Sequence, residues 1–473
     1  MPQPLVLKFG GTSVGTPEAM QQAARVVAQA RAQHGPVVVV TSALSGITDR
    51  LLTATRAAAQ DGRNGQTRAQ AAEAIYAAHQ AIAAALLPPE RRGPALDAVR
   101  QRVETFRRLV EAIAVLGEVT PRAYDAVASL GERMSAPLLA AVLEAQGVPA
   151  QAVDAADLIV TDATFQNARP DLAASTPKMR GVLEPLLAQG ITPVVTGFIG
   201  ATPEGVTTTL GRGGSDYTAA LLGAGLDAAA VWIYTDVDGV MSADPRIVPE
   251  ARTLPRLSYR EVAELAYFGA KVLHPKTIRP VVERGIPLRV RNTFNPEGPD
   301  TLIVAEAEPT PGTIKAVTLI RGLRMITVEG RGMLGVPGVA ARTFAAVAAT
   351  DTSVVLITQA SSEQSITFAV AESAAEKVTR ALEAAFAAEI ARRDIDRIVA
   401  SPPVAIVTVV GAGMQHTPGV AGRIFTALGR APVNVLAIAQ GSSEVAVSFV
   451  VEAEKAEDAV RAVHALTEQT AQG

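Results

Sequence analysis

The stretch LVLKFGGTSVGTPEAMQQAARVVAQARAQHGPVVVVTSA, residues 5–43, contains two apolar runs separated by a helical pattern. LVLKF at its start and PVVVVTSA at its end are the continuous apolar runs typical of strands buried in a parallel sheet. Between them, Thr16 is a candidate N-cap, Pro17 occupies the first helical turn and Gly35 ends the helix. A strand–helix–strand unit of this kind favours a parallel pair of strands, because the helix serves as the crossover.

The same alternation continues through the first 300 residues. Further buried-strand runs are TPVVTGFIG (192–200), AAAVWIYTDV (228–237) and IPLRVRNT (286–293). Strands separated by helices predict an α/β fold, an αβα sandwich with a mostly parallel sheet. Residues 51–116 interrupt the pattern with alanine-rich helical sequence, which predicts a helical insertion packed beside the sheet. Its lone His79 is interpreted as a surface or core residue, not a ligand.

Composition limits the class of protein. The 473 residues, 48% of them hydrophobic, suffice for two to four domains with apolar cores. A formal charge of −3 and a pI near 6.1 argue against a nucleic acid or a membrane as a partner held by bulk charge. The sequence has no cysteine, and we find neither a signal-peptide pattern nor an apolar run near the ~18 residues of a membrane helix. These features predict a soluble cytoplasmic protein.

An internal repeat follows a Pro-, Gly- and acid-rich stretch at 295–313, which predicts a domain boundary. RGMLGVPGVAARTFAAV (331–347) is similar to AGMQHTPGVAGRIFTAL (412–428), and a second similar pair lies at 356–370 and 437–451. The offset is 81 residues throughout. The order of strands and helices in each copy predicts two ferredoxin-like βαββαβ modules side by side.

Glycine-rich stretches mark candidate anion sites. Gly10 and Gly11 expose backbone N–H groups directly after Lys8, although the lysine precedes the glycines and the pattern is therefore not a P-loop. TTTLGRGGSDYTAALL (207–222) runs from a strand into a helix, where backbone amides and Arg212 could bind phosphate or carboxylate. Asp216 in this stretch is either the N-cap of the helix or a residue of the site.

Two further stretches follow predicted strands. YTDVDGVMSADPR (234–246) is either an ordinary acidic turn or a nucleotide-binding edge at the carboxyl end of a parallel strand. FGAKVLHP (268–275) places a lysine after a glycine. No Ser/His/Asp nucleophile arrangement stands out, and the five histidines lack the spacing of zinc ligands. The sequence therefore favours phosphate binding as the chemistry.

Seven motifs taken together resemble those of the aspartate kinases, members of the amino-acid kinase fold: KFGGTSV, SGITD, LGERMS, TTTLGRGGSDYTA, YTDVDGV, ADPR and FGAKVLHP. The paired modules resemble the C-terminal ACT domains of that family. The resemblance implies transfer of the γ-phosphoryl group of ATP to the side-chain carboxylate of L-aspartate, with Mg²⁺ bridging the phosphates. It also implies the following domains: catalytic 1–305, linker or first regulatory strand 306–320, and ACT domains 321–397 and 398–473.

The same resemblance assigns the phosphate and nucleotide residues. Lys8 would be the main transition-state cation, Gly10 and Gly11 would hold the phosphoryl group with their amides, and Asp216 would orient the lysine. The remaining nucleotide residues would be Thr235, Asp236, Arg246, Lys271 and Val272. Where the family commonly has tyrosine the chain has Met241, which can cover the same surface but supplies no hydroxyl for a hydrogen bond to the nucleotide.

Substrate contacts are assigned in the same way. Glu132 would pair with the ammonium of aspartate, although a glutamate on a helix is otherwise most often solvated. Arg212 would bind the α-carboxylate, helped by Thr48 and Ser215.

The repeat also predicts a binding site for a regulatory amino acid. Its hairpins look closest to the threonine-sensitive branch, which includes the bifunctional aspartate kinase–homoserine dehydrogenases. Gln359 and Gln440 are candidate threonine contacts, since an amide can serve both a carboxylate and a hydroxyl; the alternative is that both are simple polar hairpin residues. Whether lysine acts jointly with threonine is left open. We expect a homo-oligomer formed through the ACT domains, and no room for a dehydrogenase after the second module.

Two other classes of protein compete with this interpretation. One is a different amino-acid kinase, acting on glutamate, acetylglutamate, carbamate or UMP, against which the FGGTSV and LGERMS motifs and the tandem modules argue. The other is a non-catalytic amino-acid sensor, against which the presence of Lys8, Arg212, Asp216 and Lys271 argues.

Overall fold

The computed structural model describes residues 2–60, 65–268, 273–306, 313–333, 336–359, 364–441 and 444–469. The chain divides into two units. The first consists of residues 2–240, 253–259 and 273–306, and the second of residues 241–252, 260–268 and the described residues from 313 onward.

The strands of the first unit are β1 Leu5–Phe9, β2 Val37–Thr41, β3 Ala150–Val153, β4 Thr192–Thr196, β5 Ile199–Ala201, β6 Thr207–Thr209, β7 Ala230–Thr235, β8 Arg256–Ser258, β9 Leu288–Asn292 and β10 Thr301–Val304. In the described residues eight of them form one sheet in the order β3-β4-β2-β1-β7-β9-β10-β8, parallel except where β10 pairs with β9. Strands β5 and β6 form a separate antiparallel pair. The predicted mostly parallel sheet is therefore confirmed.

The helices before residue 300 are α1 Gly11–Val14, α2 Pro17–His34, α3 Ile47–Gln60, α4 Gly65–Leu86, α5 Pro89–Leu116, α6 Pro121–Ala128, α7 Leu130–Ala145, α8 Leu172–Ala188, α9 Gly214–Gly225, α10 Tyr259–Tyr267 and α11 Pro275–Glu283.

The predicted βαβ unit at residues 5–43 is confirmed. The hydroxyl of Thr16 accepts a hydrogen bond from the amide of Ala19 at 3.2 Å and so caps α2. Gly35 ends the helix with φ +89°, a conformation that favours glycine. All five residues of β1 are buried, and the strand lies between β2 and β7.

One predicted strand, 192–200, is divided in the structure. Strand β4 ends at Thr196 and β5 starts at Ile199, in different sheets. Phe198 between them has φ +70°, which lies outside the β region, so a continuous strand cannot run through this residue.

The helical insertion packs on the sheet, as predicted. Leu51, Ile75 and Phe106, one each from α3, α4 and α5, belong to the same buried apolar cluster as Leu7 of β1. The helices begin at residue 47, four residues before the predicted start. Shared burial of this kind makes the insertion part of the first unit's core.

The stretch Pro121–Ala145, which comprises α6 and α7, is long and apolar enough to cross a membrane by those two criteria alone. Most of it is buried inside the first unit, and core helices of water-exposed domains pass the same test.

His79 of α4 is a core residue. Its side chain is fully buried, its Nδ1 lies 2.7 Å from the carbonyl oxygen of Ile75, and its Nε2 has no hydrogen-bond partner. Burial lowers the pKa of His79 to about 4, against a smaller opposing effect of the Ile75 carbonyl. The folded state therefore disfavours the imidazolium.

We expect acid to destabilise the first unit through this residue. Between pH 6.5 and 4 the unfolded chain binds the proton and the folded chain does not, so the free energy of unfolding falls as the pH falls. From pH 7 to pH 5 the loss is about 2 kcal/mol. Urea denaturation at both pH values should show this loss in the wild type and a smaller one in His79→Leu. In Ile75→Val, the control, the midpoint should drop equally at both pH values; a His79→Leu variant with the full wild-type pH dependence would contradict the prediction.

The strands of the second unit are β11 Ala316–Glu329, β12 Leu356–Gln359, β13 Ser365–Ala371, β14 Arg397–Ala400, β15 Val404–Val410, β16 Ala437–Gln440 and β17 Ala446–Glu452. Its helices, besides α10, are α12 Val339–Ala348, α13 Glu372–Ala385, α14 Ala387–Arg392, α15 Val420–Arg430 and α16 Ala456–Gln469. The strand order is β12-β13-β11-β15-β17-β16, and β14 also pairs with β11.

Strand β11 belongs to both modules. Its residues 323–329 pair with β13, and residues 326–329 also pair with β14, which completes the first ferredoxin-like module. Its residues 316–320 pair with β15 and provide the fourth strand of the second module. The two predicted modules are confirmed, but the second takes this strand from the chain before the first. The predicted boundary at 397/398 falls inside β14, which pairs with the first module.

Two segments inside the predicted catalytic range of 1–305 belong to the second unit. In residues 241–252, Ile247 and Val248 are buried in the same cluster as Val409. In residues 260–268, the buried carboxylate of Glu261 lies 3.0 Å from the ammonium of Lys315 and accepts a hydrogen bond from an amide of the second module. Apolar burial and a buried ion pair therefore place these segments with the two ferredoxin-like modules.

Candidate active site

A cavity of about 490 Å³ lies at the carboxyl ends of the central parallel strands, where ligands bind in open α/β sheets. Seven residues predicted from the sequence line it: Lys8, Gly11, Thr48, Glu132, Arg212, Ser215 and Asp216. The sequence predicted the backbone of residues 211–214 as part of an anion site but gave no individual role to the other lining residues: Thr12, Ser42, Ala43, Leu44, Ser45, Gly46, Phe198, Gly211, Gly213 and Gly214.

Lys8 and Asp216 form an ion pair in this cavity. The ammonium nitrogen of Lys8 lies 2.6 Å from Oδ1 of Asp216, and only about a tenth of either side chain is exposed. The N-cap of α9 is Gly213, with φ +72°, and Asp216 is the third residue of the helix. The N-cap alternative for Asp216 is therefore wrong. Its carboxylate lies in the first turn, where the helix dipole favours negative charge, and holds the lysine in place.

The two glycines after Lys8 differ in their surroundings. The amide of Gly10 donates to the carbonyl of Tyr234 at 3.3 Å, so in this structure it is not free to hold a phosphoryl group. Gly11 begins α1 and lines the cavity, and the N–H groups of a first helical turn have no partner within the helix. A Cβ at Gly11 would lie 3.0 Å from the carbonyl oxygen of Ala43, so a side chain there would be tight against the backbone.

Glu132 is buried, not solvated. It is the third residue of α7, is 4% exposed, and its Oε2 has no hydrogen-bond partner. Burial raises the pKa of Glu132 to about 8, against the opposing effects of the Ala43 amide and the charge of Arg133. A buried carboxylate with an unmatched oxygen beside a cavity suits a cationic ligand group.

Arg212 stands on an exposed turn between two glycines with positive φ, Gly211 and Gly213. Within the part of the chain that the structure describes, no carboxylate forms an ion pair with its guanidinium under a 4.0 Å limit. Arg212 is therefore a cation available to an anion in the cavity. Neighbouring Ser215 accepts a hydrogen bond from the hydroxyl of Ser42 at 2.9 Å, which ties α9 to the end of β2.

The predicted nucleotide residues are not gathered in the cavity. Thr235 ends β7 and donates to Oδ1 of Asp236 at 3.1 Å, and neither residue lines the cavity. Arg246 lies in the second unit and pairs with Asp244 at 2.6 Å. Lys271 and Val272 lie outside the described residues. The nucleotide assignment stays a prediction.

Among the described residues no group of three or more histidine, aspartate or glutamate side chains could hold a metal ion. The carboxylates of the cavity are Asp216, which is paired with Lys8, and Glu132. This donor set does not form a metal cage.

The candidate effector residues occupy equivalent places. Gln359 ends β12 and lines a cavity of about 390 Å³ with residues of the turn that precedes α12, among them Pro337 and Gly338. Gln440 ends β16 and is exposed.

Comparison with known proteins agrees with this organisation. Residues 3–292 match the amino acid kinase family, and residues 326–386 and 407–466 match the ACT domain.

Two relatives and one solved structure resemble this chain over nearly its whole length. A chloroplastic bifunctional aspartokinase/homoserine dehydrogenase of Daucus carota is 39% identical over 97% of this chain and 50% of its own length. The lysine-sensitive aspartokinase 3 of Escherichia coli is 34% identical over 98% of this chain and 99% of its own. The crystal structure of E. coli aspartokinase III with aspartate and ADP has a TM-score of 0.80 and 32% identity, covering 98% of this chain and 99% of the other. The chain spans about half the length of the bifunctional relatives that it matches.

Proposed function

Because the chain belongs to the amino acid kinase family and, within it, to the aspartokinases, we propose that it phosphorylates the side-chain carboxylate of L-aspartate with ATP. The observation that carries this proposal is that the Lys8–Asp216 ion pair, Glu132 and Arg212 line the same cavity. Lys8 suits a transferring phosphoryl group, and the other two suit the ammonium and α-carboxylate of an amino acid. The E. coli aspartokinase crystallised with aspartate and ADP supports the same substrates.

Phosphoryl transfer requires the protein mainly to position the reactants and to stabilise the developing charge. The side-chain carboxylate of aspartate is ionised at neutral pH, with a pKa of about 3.9, so no general base is needed. Lys8, fixed by Asp216, stabilises the charge on the transferring group, and the buried Glu132 and exposed Arg212 orient the nucleophile. Mg²⁺ supplied with ATP would be held chiefly by the phosphates, since this chain offers few carboxylates there.

The test is ADP release with aspartate, glutamate and acetylglutamate in parallel. We expect turnover with aspartate as the acceptor and none with glutamate or acetylglutamate. Turnover with another acceptor would reassign the substrate, and none with any acceptor would favour the non-catalytic sensor.

We also propose that threonine, with or without lysine, inhibits the enzyme through the ACT modules by a coupling free energy of about 1–3 kcal/mol. The support is the form of the hairpins, the cavity beside Gln359 and the similarity to the bifunctional enzymes. The lysine-sensitive E. coli relative makes lysine the competing effector.

Replacing Gln359 with alanine should raise the threonine concentration for half-inhibition about 10-fold, since an amide hydrogen-bonded to a charged ligand contributes about 1.5 kcal/mol. Uninhibited turnover should be unchanged. The control is Gln364→Ala, an exposed glutamine of the same module, which should leave inhibition intact. Equal loss of turnover and inhibition would mean that Gln359 is misassigned, and inhibition by lysine alone would replace threonine as the effector.

We further propose a cytoplasmic homo-oligomer, formed through the ACT modules, that carries out the first step of lysine, threonine and methionine biosynthesis. Light scattering of the purified chain tests the oligomer; a monomer would contradict it.

A further inference from the structure

A buried carboxylate outside the cavity holds two backbone segments in place. Asp125 of α6 is 0% exposed, and its two oxygens accept hydrogen bonds from the amide of Gln166 at 3.1 and 2.9 Å. Its Oδ2 also accepts from the amide of Thr209 at 2.8 Å, and its Oδ1 from the hydroxyl of Thr209 at 2.8 Å. No ion pair of Asp125 with a cationic side chain occurs in the described ranges under the same 4.0 Å limit. Its negative charge is therefore balanced by neutral donors alone.

Both segments lead to Arg212. Thr209 is the last residue of β6 and stands three positions before Arg212 in the chain. Gln166 adopts φ +69°, unusual for a residue other than glycine, and a Cβ at Gly211 would lie 3.1 Å from its carbonyl oxygen. The segment around Gln166 thus packs against the turn that presents Arg212, and Asp125 fixes this segment and the turn from one point.

Asp125 is also close in the chain to the other candidate substrate residue. Helix α6 ends at Ala128, and after Ser129 helix α7 begins with Glu132 in its first turn. The amide of Ser129 donates to the Asp125 carbonyl at 3.0 Å, so the two helices join without a flexible linker. The backbone of Asp125 is thus joined to the helix that carries Glu132, and its side chain holds the segment that leads to Arg212.

We propose that Asp125 is a positioning residue that sets the separation between Glu132 and Arg212, and thereby the fit of the amino-acid end of the substrate. The inference rests on the proposed function, since it assumes that these two side chains bind the ammonium and the α-carboxylate. A carboxylate suits this task because all of its lone pairs accept, and the donors around it are backbone N–H groups and a hydroxyl. An amide in its place would turn an N–H group toward one of those donors.

The test is Asp125→Asn in the full chain. We expect the KM for aspartate to rise about 10- to 100-fold, because small displacements of positioning groups have effects of that size. The kcat and the KM for ATP should stay within about threefold, since no hydrogen bond or ion pair found in the described residues joins Asp125 to Lys8 or Asp216. Thr209→Val, which removes the hydroxyl and keeps the amide, should raise the KM for aspartate by a smaller factor and serves as the second variant if Asp125→Asn fails to fold.

The matched control is Asp171→Asn. Asp171 also accepts a backbone amide, that of Ala174 at 3.0 Å, but as the N-cap of α8, and it does not line the cavity. Because asparagine caps a helix about as well as aspartate, this variant should change neither the melting temperature nor the KM for aspartate appreciably. If Asp125→Asn and Thr209→Val behave like this control, the proposal is overturned.

Hydrogen exchange separates this proposal from the proposed function. In Asp125→Asn the amides of Gln166 and Thr209 should exchange faster than in the wild type, whatever the enzyme phosphorylates. Inactivity of the wild type with aspartate would overturn the proposed function. Unchanged exchange at both amides in the variant would overturn the role of Asp125 instead.

Discussion

Replacing Lys8 with alanine is expected to lower kcat about 1,000-fold, while the KM for aspartate changes by less than about threefold. The ammonium of Lys8 is buried and fixed 2.6 Å from Asp216, so it stands ready to stabilise charge on the transferring phosphoryl group. Its contribution should be made mainly in the transition state, because binding of the amino-acid end falls to other side chains. A loss in kcat without a loss in affinity is the signature of such a group.

Steady-state kinetics with varied aspartate and varied ATP measures this effect. Lys178→Ala, an exposed lysine of α8 in the same unit, is the control and should behave as wild type. Because removal of Lys8 leaves Asp216 buried without its partner, a thermal melt should accompany the assay. Near-normal turnover in a folded Lys8→Ala protein would defeat the assignment of Lys8.

Replacing Glu132 with glutamine should raise the KM for aspartate about 100-fold at pH 9, because one partner of a buried charge pair is lost. The wild type should also show a pH dependence that the variant lacks. Burial raises the pKa of Glu132 to about 8, so below pH 8 the free enzyme carries mostly the protonated acid. The substrate ammonium requires the carboxylate, and binding therefore releases a proton. The KM for aspartate should fall roughly tenfold per pH unit from pH 6 toward 8 and level off above.

Glu144→Gln, at an exposed position of the same helix, serves as the control and should retain both the wild-type KM and its pH dependence. A wild-type KM for aspartate that is flat between pH 6 and 9 would refute either the raised pKa or the role of Glu132. The variant distinguishes the two cases, since a preserved wild-type affinity in Glu132→Gln would remove the role itself.

The sequence predicted the parts of the fold and site whose causes are local. Strand β1 follows from the run LVLKF, in which four of five residues are apolar, and the end of α2 follows from Gly35, since both depend on residues close in the chain. Lys8, Glu132 and Arg212 were assigned through motifs, and the structure brings all three to one cavity. Motifs suffice there because the chemistry constrains the residue types.

The sequence could not reveal features set by distant partners. Asp125 looks like an ordinary helical aspartate until Gln166 and Thr209, 41 and 84 residues away, are placed beside it. The sequence predicts that the amide of Gly10 binds phosphate. It could not show that this amide donates instead to the carbonyl of Tyr234 in β7, which lies far along the chain. Hydrogen bonds between remote segments leave no periodic or compositional signal.

The shared strand β11 has a consequence for how this protein can be cut. A fragment that starts at residue 398 lacks residues 316–320, so the fully buried β15 would lose a neighbour and become a bare edge prone to pairing with other chains. An internal excision behaves differently: Ile320 lies opposite Ile406, so a short hairpin could rejoin the chain with the intervening copy removed. One copy of the duplicated module is thus nested inside the other, and only the inner copy can be removed without taking a strand from its neighbour.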